Sequence, residues 1–491
     1  MINESSKAMC DSRLAAKDGL MNKYKYLLRN VGILTVSNFS SKILVFLMVP
    51  LYTSVLSTEE YGIYDISIST ITLLFPILTV NIVDALMRFM LDEKYNKKSV
   101  VLVGVQHVLI GFLIGGLLLF VIDLFDLFPA INGLKVYILL YFVFYVLNQF
   151  LIQFSKGIEK VFDMAIAGII GTVVMIISNV ILLLVLKCGL EGFFIANTLA
   201  QLTPALYLLI RTRTWTYIAV RDHDLSVHKE MLFYCVPLIA TVIGWWVNNA
   251  SDKYVVSLIC GLSANGLLAV SYKIPQIINT IQGIFIQAWQ ISAVKEYGTD
   301  EAKVFYGKAF VVLNLLMSFS CSLLIILTKP IGHVLYAKEF YAAWEYVPFL
   351  LISSVLNSAS GFLGPILSAK KDSKSMAMSA VYGATTNIIL NIVLVLAIDV
   401  QGSTIATVIS SCIIYYVRKK AVFNDIHINN SYTVWLTWIL LCAQAVLEIY
   451  TNFWWIEIIV IICMIIINRT ALISLYRTGS RILLKKRRKK D

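Results

Sequence analysis

Residues 31–57 read VGILTVSNFSSKILVFLMVPLYTSVLS, and the reading of this stretch decides the fold. Lys42 is its only charge, in a run otherwise apolar or weakly polar. About 20 such residues suffice to cross roughly 30 Å of hydrocarbon as a helix. A lysine at the centre of a membrane helix costs about 2.5–3.5 kcal/mol on insertion scales, and chains tolerate it where it faces a water-filled or charged-ligand site. Lys42 therefore points to a transported anion. A buried ion pair with Asp65 or Asp252 is the other reading, and the two are compatible.

The same pattern recurs along the chain. Of 491 residues, 59% are hydrophobic and 14% charged, and the mean hydropathy is +0.79, whereas soluble domains carry about a quarter charged residues. Apolar segments are predicted at 31–56, 62–88, 100–122, 135–155, 161–186, 191–210, 231–259, 266–292, 304–328, 344–369, 374–398, 402–417, 432–450 and 454–475. This predicts an all-α polytopic membrane protein of 14 transmembrane helices, with no room for a soluble domain.

Lysine and arginine cluster in alternate loops: Lys94 to Lys98, Lys156 and Lys160, Arg211 to Lys229, Lys295 and Lys303, Lys370 to Lys374, and Arg418 to Lys420. Cation-rich short loops stay in the cytoplasm, which places both termini there. The net charge of +12 is spread over these loops and the tail from Leu484 to Lys490. Beside a membrane helix such a tail meets anionic lipid, so membrane lipids rather than nucleic acid are the expected contact. Residues 1–22 are polar and the first apolar span lacks a cleavage pattern, so that span is expected to remain.

The eight cysteines and five histidines are dispersed, without CxxC or HExxH, and no GxSxG or phosphate-cradling glycine loop occurs. No catalytic residue, metal site or cofactor is expected, and the chain does not read as an enzyme.

Internal repetition organises the helices. Tyr61-Gly62-Ile63-Tyr64 corresponds to Asn265-Gly266-Leu267-Leu268, and Glu191-Gly192-Phe193-Phe194-Ile195-Ala196 to Gln401-Gly402-Ser403-Thr404-Ile405-Ala406, at offsets of 204 to 210 residues. Two pseudo-symmetric six-helix bundles plus two C-terminal helices follow, as parallel repeats flanking a central pathway. The predicted organisation is a cytoplasmic polar segment at 1–30, a bundle at 31–210, a cytoplasmic linker at 211–230, a second bundle at 231–420, two added helices at 421–476, and a basic cytoplasmic tail at 477–491.

Polar residues at helical spacing mark cavity-lining faces. The first segment aligns Thr35, Asn38, Ser41 and Lys42; the seventh Thr241, Trp245, Asn248, Asn249 and Asp252; the eighth Lys273, Gln276, Thr280, Gly283 and Gln287. The second carries Asp65, Ser69, Thr72 and Thr79, then, beyond Pro76, a separate stripe of Asn81, Asp84 and Arg88 that a proline kink would turn inward. Isolated residues such as Asn179 and Asn314 read as interhelical hydrogen bonds, and Arg88 with Asp84 as a local pair near the cytoplasmic end. Pro50, Pro237, Gly244, Pro275 and Gly283 add local breaks to the striped segments.

Several of these residues carry a family likeness: Pro50-Leu51-Tyr52, Glu60-Tyr61-Gly62-Ile63-Tyr64, Pro237 ahead of Asn249-Ala250-Ser251-Asp252-Lys253, and Gly266. Over roughly residues 25–420 the chain resembles the polysaccharide exporters of the multidrug/oligosaccharidyl-lipid/polysaccharide superfamily, which include O-antigen and capsule-repeat flippases. The resemblance implies movement of an undecaprenyl-pyrophosphate-linked oligosaccharide repeat to the outer leaflet of the bacterial plasma membrane, by alternating access through a cationic cavity. A polysaccharide polymerase is the implied protein partner. On this reading Lys42, Asn38, Arg88, Trp245, Asn249, Lys253, Lys273 and Gln287 are candidate substrate contacts, and Asp65, Asp84 and Asp252 are candidates for coupling to a proton or sodium ion. A lipid II flippase or a cation-coupled multidrug exporter of the same superfamily is the alternative, and a membrane-bound polymerase ranks below both.

Overall fold

The computed structural model describes residues 42–218, 224–299, 301–426, 431–451 and 454–473, at a few helical positions without the side chain. Every regular element among them is helical. Hydrocarbon offers backbone groups no partner, so a spanning chain satisfies its hydrogen bonds within helices. Among the described residues ten helices are long and apolar enough to cross a membrane, and the chain is a multi-pass membrane protein.

In order the helices are α1 (Lys42–Val55), α2 (Thr58–Leu78), α3 (Ile82–Met90), α4 (Lys97–Leu124), α5 (Lys135–Gly157), α6 (Val161–Val185) and α7 (Gly189–Thr212). There follow α8 (Leu225–Cys260), α9 (Leu262–Ser271), α10 (Pro275–Glu296), α11 (Ala302–Ile326), α12 (Thr328–Leu335), α13 (Val347–Lys370), α14 (Ser373–Ala421), α15 (Ser431–Tyr450) and α16 (Trp454–Ile467).

Two predicted segments differ in their interior. The segment at 62–88 is two helices, α2 and α3, and the break falls one turn beyond Pro76, where Val80 and Asn81 both adopt φ 52°. Asparagine tolerates this left-handed region, whereas β-branched valine is strained there. The segment at 266–292 is α9 and α10, parted just before Pro275. The segments at 374–398 and 402–417 are both helical: α14 is two helices joined at Ile398 and Asp399, where the backbone leaves the helical region with Asp399 at φ 51°, and the second runs back along the first, as the contacts of Asn387 with Ser410 and of Arg418 with Ser379 show.

Contacts divide the chain into two compact units, Met1–Met48 with Ile71–Ile239, and Val49–Thr70 with Ala240–Asp491. In the first, α7 packs on α5 and α6, with Phe154, Phe194, Ala196, Ala205 and Leu208 fully or almost fully buried. In the second, α13 is the central helix and is buried on nearly all sides against α10, α11 and α14. Trp289 of α10 stacks on Phe362 of α13 with ring centroids 4.1 Å apart and donates its indole N–H to the Phe362 carbonyl at 2.8 Å.

Polar bonds dock α15 onto the second unit. Trp438 donates to Asn314 Oδ1 at 2.9 Å, and Ser322 donates to Gln444 Oε1 at 2.7 Å. Asn314 is thus interhelical glue, while Asn179, expected in the same role, donates to the Met175 carbonyl of its own helix at 2.7 Å.

Candidate functional site

The N-terminal part of α2 meets α9 in the second unit with almost no separation. A Cβ on Gly62 would lie 1.9 Å from the Leu262 carbonyl oxygen, and one on Gly266 would lie 1.9 Å from that of Thr58. These are the two glycines that the repeat aligns, and the contact is reciprocal. Thr58 Oγ1 and Ser263 Oγ share a hydrogen bond of 2.6 Å across it, and Asn265 Nδ2 donates to the Gly62 carbonyl at 3.2 Å.

This close approach brings charged side chains of three helices together. Lys253 of α8 pairs with Asp65 of α2 at 2.9 Å, each side chain 18% exposed, and the ammonium also reaches Ser69 Oγ at 3.4 Å. Asn265 Nδ2 lies 3.5 Å from the second Asp65 oxygen. Asp252, next to Lys253, is buried, and its described hydrogen bonds are from uncharged donors: the Tyr272 hydroxyl and the Lys253 backbone N–H at 3.0 Å. Lys273 stands at the break between α9 and α10, its ammonium 6.0 Å from the Tyr61 ring centroid. The Lys273 ammonium forms no ion pair among the described residues.

A chain of amides and hydroxyls lies beside Asp252. Ser251 Oγ donates to Asn387 Oδ1 at 3.1 Å, and Asn391 Nδ2 donates to the same oxygen at 2.9 Å. Asn387 Nδ2 in turn reaches Ser410 Oγ at 3.3 Å. Asn391 Oδ1 is buried without a hydrogen-bond partner among the described residues.

The predicted site residues thus fall into separate groups. Asp65, Asp252, Lys253 and Lys273 belong to the second unit's cluster. Asp84 and Arg88 are in the first unit, on α3, and do not pair with each other. Gln153 donates to Asp84 at 3.2 Å, and the exposed Arg88 faces Asp92 one turn on at 3.7 Å, because i,i+4 side chains share a helix face. Lys42, at the start of α1, is exposed and makes no ion pair among the described residues; Asp65 and Asp252, its expected partners, are engaged elsewhere. Asn38 and the basic tail lie outside the described residues, and Trp245, Asn249 and Gln287 stand on α8 and α10 with side chains outside the description.

Sequence reasoning missed Tyr272, which caps the Asp252 carboxylate, and the Asn387–Asn391 pair on α14. The spacing of Asn387 and Asn391 by four, with Ser410 and Thr407 beyond the kink, is the polar-stripe signal that singled out the other segments.

The family described as polysaccharide biosynthesis protein matches residues 27–290. In fold the chain is similar to a lipid II flippase, MurJ, in an inward closed conformation, with TM-score 0.67 at 17% identity over 90% of this chain and 98% of that one. It is also similar to an inward-facing multidrug resistance MATE family transporter of the MOP superfamily, with TM-score 0.64 at 12% identity over 79% of this chain and 98% of that one. A MATE structure in complex with MaL6 aligns with TM-score 0.56 at 13% identity, covering 84% of this chain and 96% of that one. No curated protein sequence matches the chain. At such identities the likeness shows the fold alone.

Proposed function

We propose that this chain, which belongs to the family of polysaccharide biosynthesis proteins, is a flippase carrying an undecaprenyl-pyrophosphate-linked oligosaccharide repeat from the cytoplasmic to the outer leaflet of a bacterial plasma membrane. The observation that carries the reading is that Lys273, within an apolar stretch of the second unit, is in no ion pair among the described residues, nor is Lys42 in the first. A pyrophosphate supplies the missing anion. Sugars suit the amides and hydroxyls of α10, α13 and α14, and a polyprenyl tail stays in lipid.

Fourteen helices in two pseudo-symmetric halves, with both termini cytoplasmic, give alternating access in this reading. Outward movement of an anion gains about 2.3 kcal/mol per charge per 100 mV of inside-negative potential. Coupling to a proton or sodium ion falls to Asp252. Asp65 has Lys253 as its counter-charge and Asp84 is a local partner of Gln153, whereas the buried Asp252 takes its described hydrogen bonds from uncharged donors. A buried carboxylate in such surroundings calls for a cation. The polymerase that consumes the flipped repeat is the expected downstream partner.

The test is deletion of the gene in its native bacterium, complemented with wild type or Lys42→Ala. Lipid-linked repeats that accumulate at the cytoplasmic face, cleared by wild type and not by Lys42→Ala, support both the flippase and its cationic site. Unchanged surface polysaccharide on deletion overturns the reading. The similarity to the lipid II flippase fold favours one second reading, and accumulation of lipid II instead of an oligosaccharide repeat identifies it.

A further inference from the structure

The second unit contains a cavity of about 410 Å³ walled by α10, α13 and α14. Its lining includes Asn279, Gln282 and Asn357, the serines Ser354 and Ser410, and Arg418. Ser354 and Ser410 donate to carbonyls of their own helices, at 3.1 Å and 3.0 Å. Their oxygens keep acceptor capacity, while the amides offer both donors and acceptors. Such a wall complements a ligand rich in hydroxyl groups.

Arg418 is the anomaly in this wall. It is 6% exposed, and its described hydrogen bonds go to neutral acceptors: Nε to Ser379 Oγ at 3.0 Å and Nη1 to the Ser360 carbonyl at 3.0 Å. A guanidinium carries five N–H donors, so the fork is not exhausted. Two other cations at helix ends have acids, Arg211 pairing with Asp163 at 3.0 Å and Lys370 with Asp425 at 2.9 Å. No carboxylate pairs with Arg418 among the described residues. A buried charge without a counter-ion is strongly unfavourable, and the planar fork matches carboxylate or phosphate oxygens in a bidentate way.

We infer that this cavity binds an anionic, hydroxyl-bearing group, a phosphate or carboxylate carried on sugar, with Arg418 as its anion contact. The inference rests on the flippase reading only for the source of that group, which is either the pyrophosphate linker or an acidic sugar of the repeat. A cavity of this size accommodates a ligand of one or two sugar rings.

Calorimetric titration of the purified full chain in lipid nanodiscs tests it, with inorganic pyrophosphate, glucuronate and glucose as probes. At least one anion is expected to bind roughly tenfold or more tightly than glucose, and Arg418→Gln to lose that preference by about the same factor. Arg418→Lys, a point charge without the fork, restores part of it. Ser354→Leu fills the cavity with the guanidinium in place and is expected to abolish binding, which keeps the test decisive should Arg418→Gln not fold. Binding of pyrophosphate alone assigns the linker, and of glucuronate alone an acidic sugar. Equal anion affinity in wild type and Arg418→Gln, no preference over glucose, or no binding at millimolar concentrations overturns the site. The titration does not depend on translocation, so failure of the gene-deletion experiment and failure of this site are separate results.

Discussion

Gly62→Ala tests the crossing that organises the charged cluster. The new Cβ would lie 1.9 Å from the Leu262 carbonyl oxygen, where a carbon and an oxygen ordinarily approach no closer than about 3.3 Å. The obstacle is backbone and cannot rotate aside, so α2 and α9 must part by roughly 1.4 Å. That opening stretches the Thr58–Ser263 bond, now 2.6 Å, and the Asn265–Gly62 bond, now 3.2 Å, out of hydrogen-bonding range. Overpacking costs about 1–3 kcal/mol and each broken bond about 1 kcal/mol, so a loss of roughly 3–5 kcal/mol is expected. Gly266→Ala strikes the other side of the same crossing, at 1.9 Å from the Thr58 carbonyl oxygen, and should lose about as much. Because the first substitution already opens the contact, the double variant should lose clearly less than the sum. Gly244 and Gly283 are internal controls, since a Cβ there meets nothing within 4 Å. Alanine at either is expected to gain about 0.5–1 kcal/mol from helix propensity. Thermal unfolding of the purified variants in one detergent provides the assay, with restoration of surface polysaccharide as the functional readout. An unfolding temperature of Gly62→Ala equal to wild type, or strict additivity in the double variant, refutes the reasoning.

Lys253→Ala strands the Asp65 carboxylate and should destabilise by about 3 kcal/mol, while Lys253→Met combined with Asp65→Leu recovers most of it; denaturation of the single and double variants measures the difference. Asp252→Asn keeps an acceptor for Tyr272 and removes a buried charge, so stability holds or rises while translocation loses its ion dependence; ion dependence that survives in a liposome flipping assay refutes the coupling role. Val80→Gly relieves a φ of 52° at a β-branched residue and should stabilise by about 1 kcal/mol, the strain relief exceeding the added unfolded-state entropy; a lowered unfolding temperature would show that the left-handed turn carries no strain. Asp372, in the turn between α13 and α14, accepts from the Ser375 backbone N–H at 3.0 Å and hydroxyl at 2.7 Å, and these bonds, the backbone one foremost, hold its carboxyl below the usual range. Its stabilisation is therefore complete above the ordinary aspartate pKa of about 3.9 and disappears as pH falls through the lower folded value, so Asp372→Ala should flatten the acid limb of unfolding temperature against pH.

The membrane spans were legible because hydrocarbon selects long apolar runs, a property summed over about 20 residues. Breaks inside the runs involve two or three residues and vanish in such a sum. Pro76 marked the right neighbourhood, yet the turn at Val80 and Asn81 comes later, whereas the interruption at Asp399 does fall where the backbone leaves the helical region. Polar stripes singled out Asp65, Asp252 and Lys273, but the partner of Asp65, Lys253, is 188 residues away and no spacing announces it. The most informative failure is Arg418. Counted with Lys419 and Lys420 as a cytoplasmic loop cation, it satisfied the topology rule and asked for nothing further. Thr407, Ser411 and Arg418 share one face of α14 at offsets of four and seven residues, so the stripe criterion applied to that helix would have set it apart. Composition counts all cations alike, whereas the fold sorts them by partner: Arg211, Lys253 and Lys370 have carboxylates at 2.9–3.0 Å, and the buried Arg418 has only neutral acceptors. A cation with its own acid is already neutralised by the protein, and one without it leaves a charge that, in the site proposed above, a ligand completes, so the unpaired cations and not the number of basic residues carry the proposed binding chemistry.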